Sequence, residues 1–107
     1  MRVRNGMWVM VMFDLPVGSA PQRRCYSRFR KFLLRNGFEM RQKSVYLRWE
    51  ETVSASEATS KSVELQSPPD GRVTVMRLTE RTMTKARVLV DRETTQPPTL
   101  PDEFLIC

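Results

Sequence analysis

Met7-Trp8-Val9-Met10-Val11-Met12-Phe13, bounded by Gly6 and closed by Asp14, is the stretch on which the reading of this chain turns. The run is apolar at every position, so neither face of a strand built from it is polar, and its length suits a strand better than a helix. A strand apolar on both faces belongs in the middle of a sheet. Asp14-Leu15-Pro16-Val17-Gly18 follows as a loop, since Pro and Gly favour turns.

The next signal outward is a helix start. Ser19 with Gln22 three residues on forms a capping box, and Pro21 fits the first turn. The helix is expected to run to about Asn36, with Gly37 as its stop. At about 100° per residue, Cys25, Tyr26, Phe29, Phe32 and Leu33 share one arc that must face the sheet. Arg24, Arg28, Lys31 and Arg35 form a separate basic stripe, and nothing acidic lies between residues 15 and 38. Solvated helices usually interleave both signs. The stripe is therefore either a phosphate-contacting surface or an idle solvated face.

Phe38-Glu39-Met40 alternates apolar and polar, and Val45, Leu47 and Trp49 alternate in the opposite phase. A period-2 pattern that slips by one residue implies a bulge or tight turn at Gln42-Lys43-Ser44. Residues 38–49 are thus one bent strand or two short paired strands. Residues 52–66 make a weak helix whose apolar members are Val53, Ala55, Ala58, Val63 and Leu65. Its many Ser and Thr residues lower its propensity, so tertiary packing has to hold it. Pro68-Pro69-Asp70-Gly71 is a turn, residues 73–78 a strand, residues 80–85 a connector and residues 86–90 an additional strand. Residues 96–107 form an extended Pro-rich tail after a domain spanning residues 1–95, and they end in Phe104-Leu105-Ile106-Cys107. The order predicts an α+β fold, the ferredoxin-like β-α-β-β-α-β motif with an extra C-terminal strand. The edge left by that strand calls for a second copy, hence a homodimer.

Composition narrows the chemistry. The 107 residues carry 18 Lys and Arg against 12 Asp and Glu, a net charge of +6, with a pI near 10.0. That balance suits a polyanionic partner, DNA or RNA, although it also aids solubility. There is no histidine, and the two cysteines are Cys25 and Cys107. Ser-His-Asp and Cys-His catalysis are excluded, as is a four-ligand zinc site. Cys25 reads as a small core residue rather than a nucleophile. Arg2 and Arg4 precede the apolar run like the start of a signal peptide, but Asp14 and Pro16 cut it short and no small-residue cleavage site follows. The run is also too short to span a bilayer. A soluble, cytoplasmic protein with no membrane partner is expected.

One acidic residue is placed like a functional group. Asp14 ends the strand taken as central, where open sheets tend to present ligand-binding groups; the plainer reading is a strand stop. One carboxylate is a weak magnesium site, because Mg²⁺ takes six oxygens, but two copies across a two-fold axis could share one ion. Ser44 and Tyr46 are further candidates for facing such a site, though strands carry both residue types for structural reasons. The aromatic stacking platform of an RNA-recognition motif is missing from residues 73–78.

Taken together, several segments resemble the CRISPR-associated protein two family, particularly its short type II variety. They are the opening Met7-Trp8-Val9-Met10-Val11-Met12-Phe13-Asp14-Leu15-Pro16, then Tyr26-Ser27-Arg28-Phe29-Arg30-Lys31-Phe32-Leu33-Leu34-Arg35-Asn36-Gly37-Phe38, and Gln42-Lys43-Ser44-Val45-Tyr46-Leu47-Arg48. Pro68-Pro69-Asp70-Gly71-Arg72-Val73, Arg77-Leu78-Thr79-Glu80 and the tail with Pro97-Pro98, Leu100-Pro101 and Phe104-Leu105-Ile106 follow in the same order. The Ser-rich helix over residues 52–66 departs from the family, whose helix there is more regular and often basic.

The resemblance implies a prokaryotic, homodimeric subunit of the spacer-acquisition complex. Such a dimer bridges dimers of the larger integrase subunit while a short DNA duplex is captured and inserted. It also implies a magnesium-dependent endonuclease acting on RNA or DNA, with Asp14 as the catalytic and metal-binding aspartate. By the residues themselves, nucleic acid is expected along Arg24, Arg28, Lys31 and Arg35, and Leu100, Phe104, Leu105 and Ile106 are expected to dock on the larger partner, on the dimer mate or on both, with a tail folded back on its own sheet as the plainer alternative. A nuclease as the primary role, or a fold-related ribonuclease toxin, are the competing readings; the type II-like segments and the tail speak against the toxin.

Overall fold

The computed structural model describes residues 6–89. The element order is β1 (Met7–Asp14), α1 (Ala20–Arg35), β2 (Glu39–Gln42), β3 (Val45–Glu50), α2 (Val53–Gln66), β4 (Arg72–Thr79) and a short α3 (Glu80–Met83). The strands form one sheet in the order β2-β3-β1-β4. All three pairings are antiparallel. This is the ferredoxin-like arrangement, and the apolar run occupies the central strand as expected.

Alternation along β1 divides its side chains between the two faces of the sheet. Val9, Val11 and Phe13 are buried, and they pack with Tyr26, Phe29 and Leu33 of α1 and Val63 of α2. Trp8, Met10 and Met12 fall on the other face, opposite to α1 and α2, and are only half-buried among the described residues.

α1 has the expected cap. The Ser19 hydroxyl accepts from Gln22 N at 3.2 Å, and the Gln22 side chain accepts from Ser19 N at 3.0 Å. The helix stops where Gly37 takes φ +82°, a conformation costly for residues with a Cβ. The phase slip between β2 and β3 is a register irregularity between Met40 and Gln42, followed by a turn at residues 43–44. Of the two readings of residues 38–49, two short paired strands is the one observed.

Several expectations are corrected. Residues 80–85 begin with α3 rather than an irregular connector: the Thr79 hydroxyl caps it by accepting from Thr82 N at 3.1 Å. Residues 86–89 form no strand, and Val88 and Leu89 are 77% and 84% exposed. Among the described residues β4 lies at one edge of the sheet, and residues 86–89 do not pair with it. Val90, the last residue of the expected strand, lies outside the described residues, as does the tail over residues 96–107. Cys25 is exposed, because the apolar arc of α1 narrows to Tyr26, Phe29 and Leu33 where it meets the sheet. In α2 the buried residues are Ser56 and Val63, whereas Val53 and Leu65 are exposed, as is Ala58.

Candidate nucleic-acid interface and carboxylate site

α1 lays one face on the sheet and turns the other to solvent. Arg24, Arg28, Lys31 and Arg35 are all exposed, as helical spacing predicts for a row of side chains opposite a buried arc. The ion pairs among the described residues involve Arg41, Arg48 and Arg77 instead. Among the described residues the stripe is thus a row of cations in no ion pair with a carboxylate. Arg48 adds a further basic group near its lower end, donating to the Asn36 carbonyl at the C-terminus of α1.

Asp14 closes β1 and is exposed. It shares a face with Met12 and Met10, the face not covered by helices. Arg72 is its cross-strand partner in the β1–β4 pair, a cationic residue on the neighbouring strand that sequence spacing had no means of placing. The loop after Asp14 is fixed by the turn before β4. Gly71 has φ +90°, and a Cβ there would lie 2.7 Å from the Asp14 carbonyl oxygen and 2.9 Å from Pro16 Cδ. Only glycine permits both the conformation and that approach, so the Pro68-Pro69-Asp70-Gly71 turn holds Asp14 in place.

The other two candidates do not join it. Tyr46 is fully buried and stacks on Phe13 at 5.5 Å, on the helix side of the sheet. Its hydroxyl has no hydrogen-bond partner among the described residues. Ser44 sits opposite Phe13, its carbonyl accepting from Phe13 N at 3.1 Å; it is therefore one residue out of phase with Asp14. The fit to a metal is incomplete among the described residues. No cluster of three or more His, Cys, Asp or Glu that could hold an ion occurs among the described residues, and one exposed carboxylate does not make an octahedral site. The remaining site candidates, Leu100, Phe104, Leu105 and Ile106, lie outside the described residues.

Comparison with known proteins places this architecture. Residues 7–86 match the family described as CRISPR associated protein Cas2. The chain belongs to that family. Relatives span most of their own length as well as most of this chain. The CRISPR-associated endoribonuclease Cas2 of Treponema denticola is 39% identical over 90 residues, covering 84% of this chain and 89% of the relative. That of Parvibaculum lavamentivorans is 38% identical over 95 residues, covering 86% and 94%. One from Rhodospirillum rubrum is 40% identical over 81 residues, covering 76% and 72%. The family match takes in β1, Asp14, the whole basic stripe and β4. No helix among the described residues is long and apolar enough to cross a membrane.

Proposed function

We propose that this protein is a dimeric, DNA-binding adaptor of CRISPR adaptation, bridging integrase dimers while new spacers are captured and integrated. The observation that carries the reading is the row Arg24, Arg28, Lys31 and Arg35, exposed along α1 with no carboxylate partner among the described residues. Cations so arranged suit a duplex backbone, whose phosphates they neutralise with release of counterions. Nothing in the row reads bases, so binding is independent of sequence. RNA is a second ligand of the same backbone chemistry.

Two features support a dimer. The face bearing Trp8, Met10, Met12, Trp49 and Met76 is apolar and, among the described residues, only partly covered. Among the described residues β4 is unpaired on its outer side, an edge that sheet proteins normally cover. A second copy meets both needs. It would also bring two Asp14 carboxylates into one assembly, enough to share a magnesium ion with waters and phosphate oxygens as the other ligands. When bound, the ion would supply electrostatic stabilisation for phosphodiester hydrolysis. That activity is in keeping with the relatives' name, endoribonuclease. Arg72 then stands where a cation would orient the phosphate or compensate the carboxylate. The tail residues Leu100, Phe104, Leu105 and Ile106 provide an apolar segment for the larger partner.

The test is duplex affinity measured against salt. The log–log slope is expected to fall in magnitude by about 2 to 3 when Arg24, Arg28 and Lys31 are all changed to Glu, following about 0.9 per phosphate contact. An unchanged slope means the stripe is a solvated face and the adaptor reading fails. Asp14→Asn is expected to abolish any cleavage while leaving duplex binding intact. Full cleavage by that variant takes Asp14 out of the chemistry.

A further inference from the structure

β2 stops short of its neighbour. Its first residue, Glu39, pairs with Leu47, whereas β3 runs on to Glu50. Arg48 and Trp49 thus continue β3 past the end of β2, and the chain leaving α1 through Asn36 and Gly37 passes beside them. A trough of about 550 Å³ opens there, within the range of about 300–1,000 Å³ that takes small ligands. Trp8, Leu47 and Trp49 make its apolar wall, and Arg35, Arg48 and Glu39 line the rest with Asn36 and Gly37.

The lining combines aromatic rings with an unpaired cation. Trp8 and Trp49 are cross-strand neighbours on β1 and β3, half-buried and in edge-to-face contact at 5.3 Å. A Cβ on Gly6 would strike the Trp49 ring, so glycine lets the backbone lie against it. The Trp49 indole N–H donates to Glu51 at 3.0 Å, which fixes the ring's orientation. Arg48 is engaged by Glu50 at 3.5 Å and by the Asn36 carbonyl. Arg35 is exposed and in no ion pair among the described residues. It is also the last cation of the α1 stripe, about 16 Å from Arg24 at about 1.5 Å per residue, the length of about five phosphates along one strand. Four-stranded sheets can hold unpaired bases by stacking them on aromatic side chains. β4 has no aromatic residue, but the two central strands supply Trp8 and Trp49.

We propose that this trough takes one unpaired nucleotide at the end of the duplex lying on the α1 stripe, its base stacked against the Trp8–Trp49 pair and its phosphate held by Arg35. The inference rests on the duplex-binding reading and adds the feature of the DNA that the protein selects, an end with an unpaired base. The base goes to the tryptophan wall because stacking needs a π face and tolerates any base. The phosphate goes to Arg35 because Arg48 is spent on Glu50 and Asn36, and the Glu39 carboxylate repels an anion on its own side of the trough. A second copy pairing along β4 approaches the opposite edge of the sheet, since β4 and β2 are its two outer strands.

Trp8 and Trp49 are the only tryptophans, so the intrinsic emission of the full chain reports on the trough. A duplex with splayed, unpaired ends is expected to quench that emission. It should also bind roughly ten-fold tighter than a blunt duplex of equal paired length, the scale of stacking one base. Trp49→Leu keeps an apolar side chain but removes the π face, and the ratio of the two affinities should fall close to one. Equal affinities in the native chain, or an unchanged ratio in Trp49→Leu, overturn the assignment. A short single strand, titrated separately, needs no duplex on the stripe. Its saturable quenching of the native chain is expected even where duplex binding fails, so the two readings fail separately; no quenching by the single strand overturns the trough.

Discussion

α1 and α2 rest on the same face of the same sheet, yet different forces hold them. α1 inserts Tyr26, Phe29 and Leu33 into the core. Phe13 of β1 meets Tyr26 and Phe29 edge-on, each at 5.4 Å, an arrangement aromatic rings prefer. α2 inserts one large apolar side chain, Val63. Its other contacts with the sheet are polar. Thr59 donates to the buried carboxylate of Glu50, which also lies 3.5 Å from Arg48 Nε. The Arg77 guanidinium donates to the fully buried Ser56 hydroxyl at 3.4 Å and lies 3.7 Å from Glu57. These groups meet there because Arg48 and Arg77 are the cross-strand neighbours of Val9, one on each side. The lesson is that a helix poor in apolar residues can still be anchored where the sheet beneath it offers polar partners. Such an anchor depends on every group being satisfied.

The contrast can be broken by substitution, and the largest effect belongs to α1. Phe29→Ala removes a ring that is 2% exposed and is expected to cost about 3–5 kcal/mol, read from the urea midpoint of unfolding. Val63→Ala, at the single apolar anchor of α2, should cost about 2 kcal/mol by the same measure, given the smaller volume lost. Equal costs at the two sites would mean that the helices are held alike.

The polar anchor gives a finer test. Thr59→Val keeps the shape but removes a donor from Glu50, for an expected loss of about 1–2 kcal/mol. A neutral result would show that Glu50 is satisfied without it. The smallest effect is expected at Ala58, an apolar position by sequence that is exposed in the fold. Ala58→Lys should shift stability by less than about 0.5 kcal/mol. A large loss there would place Ala58 against an apolar surface that the single chain does not contain.

Much of α1 was legible from local rules. Its capping box, its glycine stop and its two faces depend on residues within a few positions of one another, and the basic stripe follows from helical spacing alone. The candidate site was legible only by halves. Asp14 stood out because it ends an apolar run. Arg72 did not, since its place across from Asp14 depends on the pairing of strands that lie far apart in the chain. Tyr46 could be read either as a site residue or as a structural one, and the structural reading holds because its pairing with Val11 puts it on the helix side of the sheet.

By itself the sequence determined the central strand, the capped helix, the phase slip at residues 42–44 and the positive charge, all written in near neighbours. Tertiary structure alone decided that Ser56 is buried while Leu65 and Cys25 are exposed, that Arg48 and Arg77 flank Val9, and which apolar face of β1 meets α1 and α2. The physical reason is that periodicity states what a face is made of, whereas burial depends on what lies opposite. In this fold what lies opposite is set by strand register and helix placement, which no local window contains.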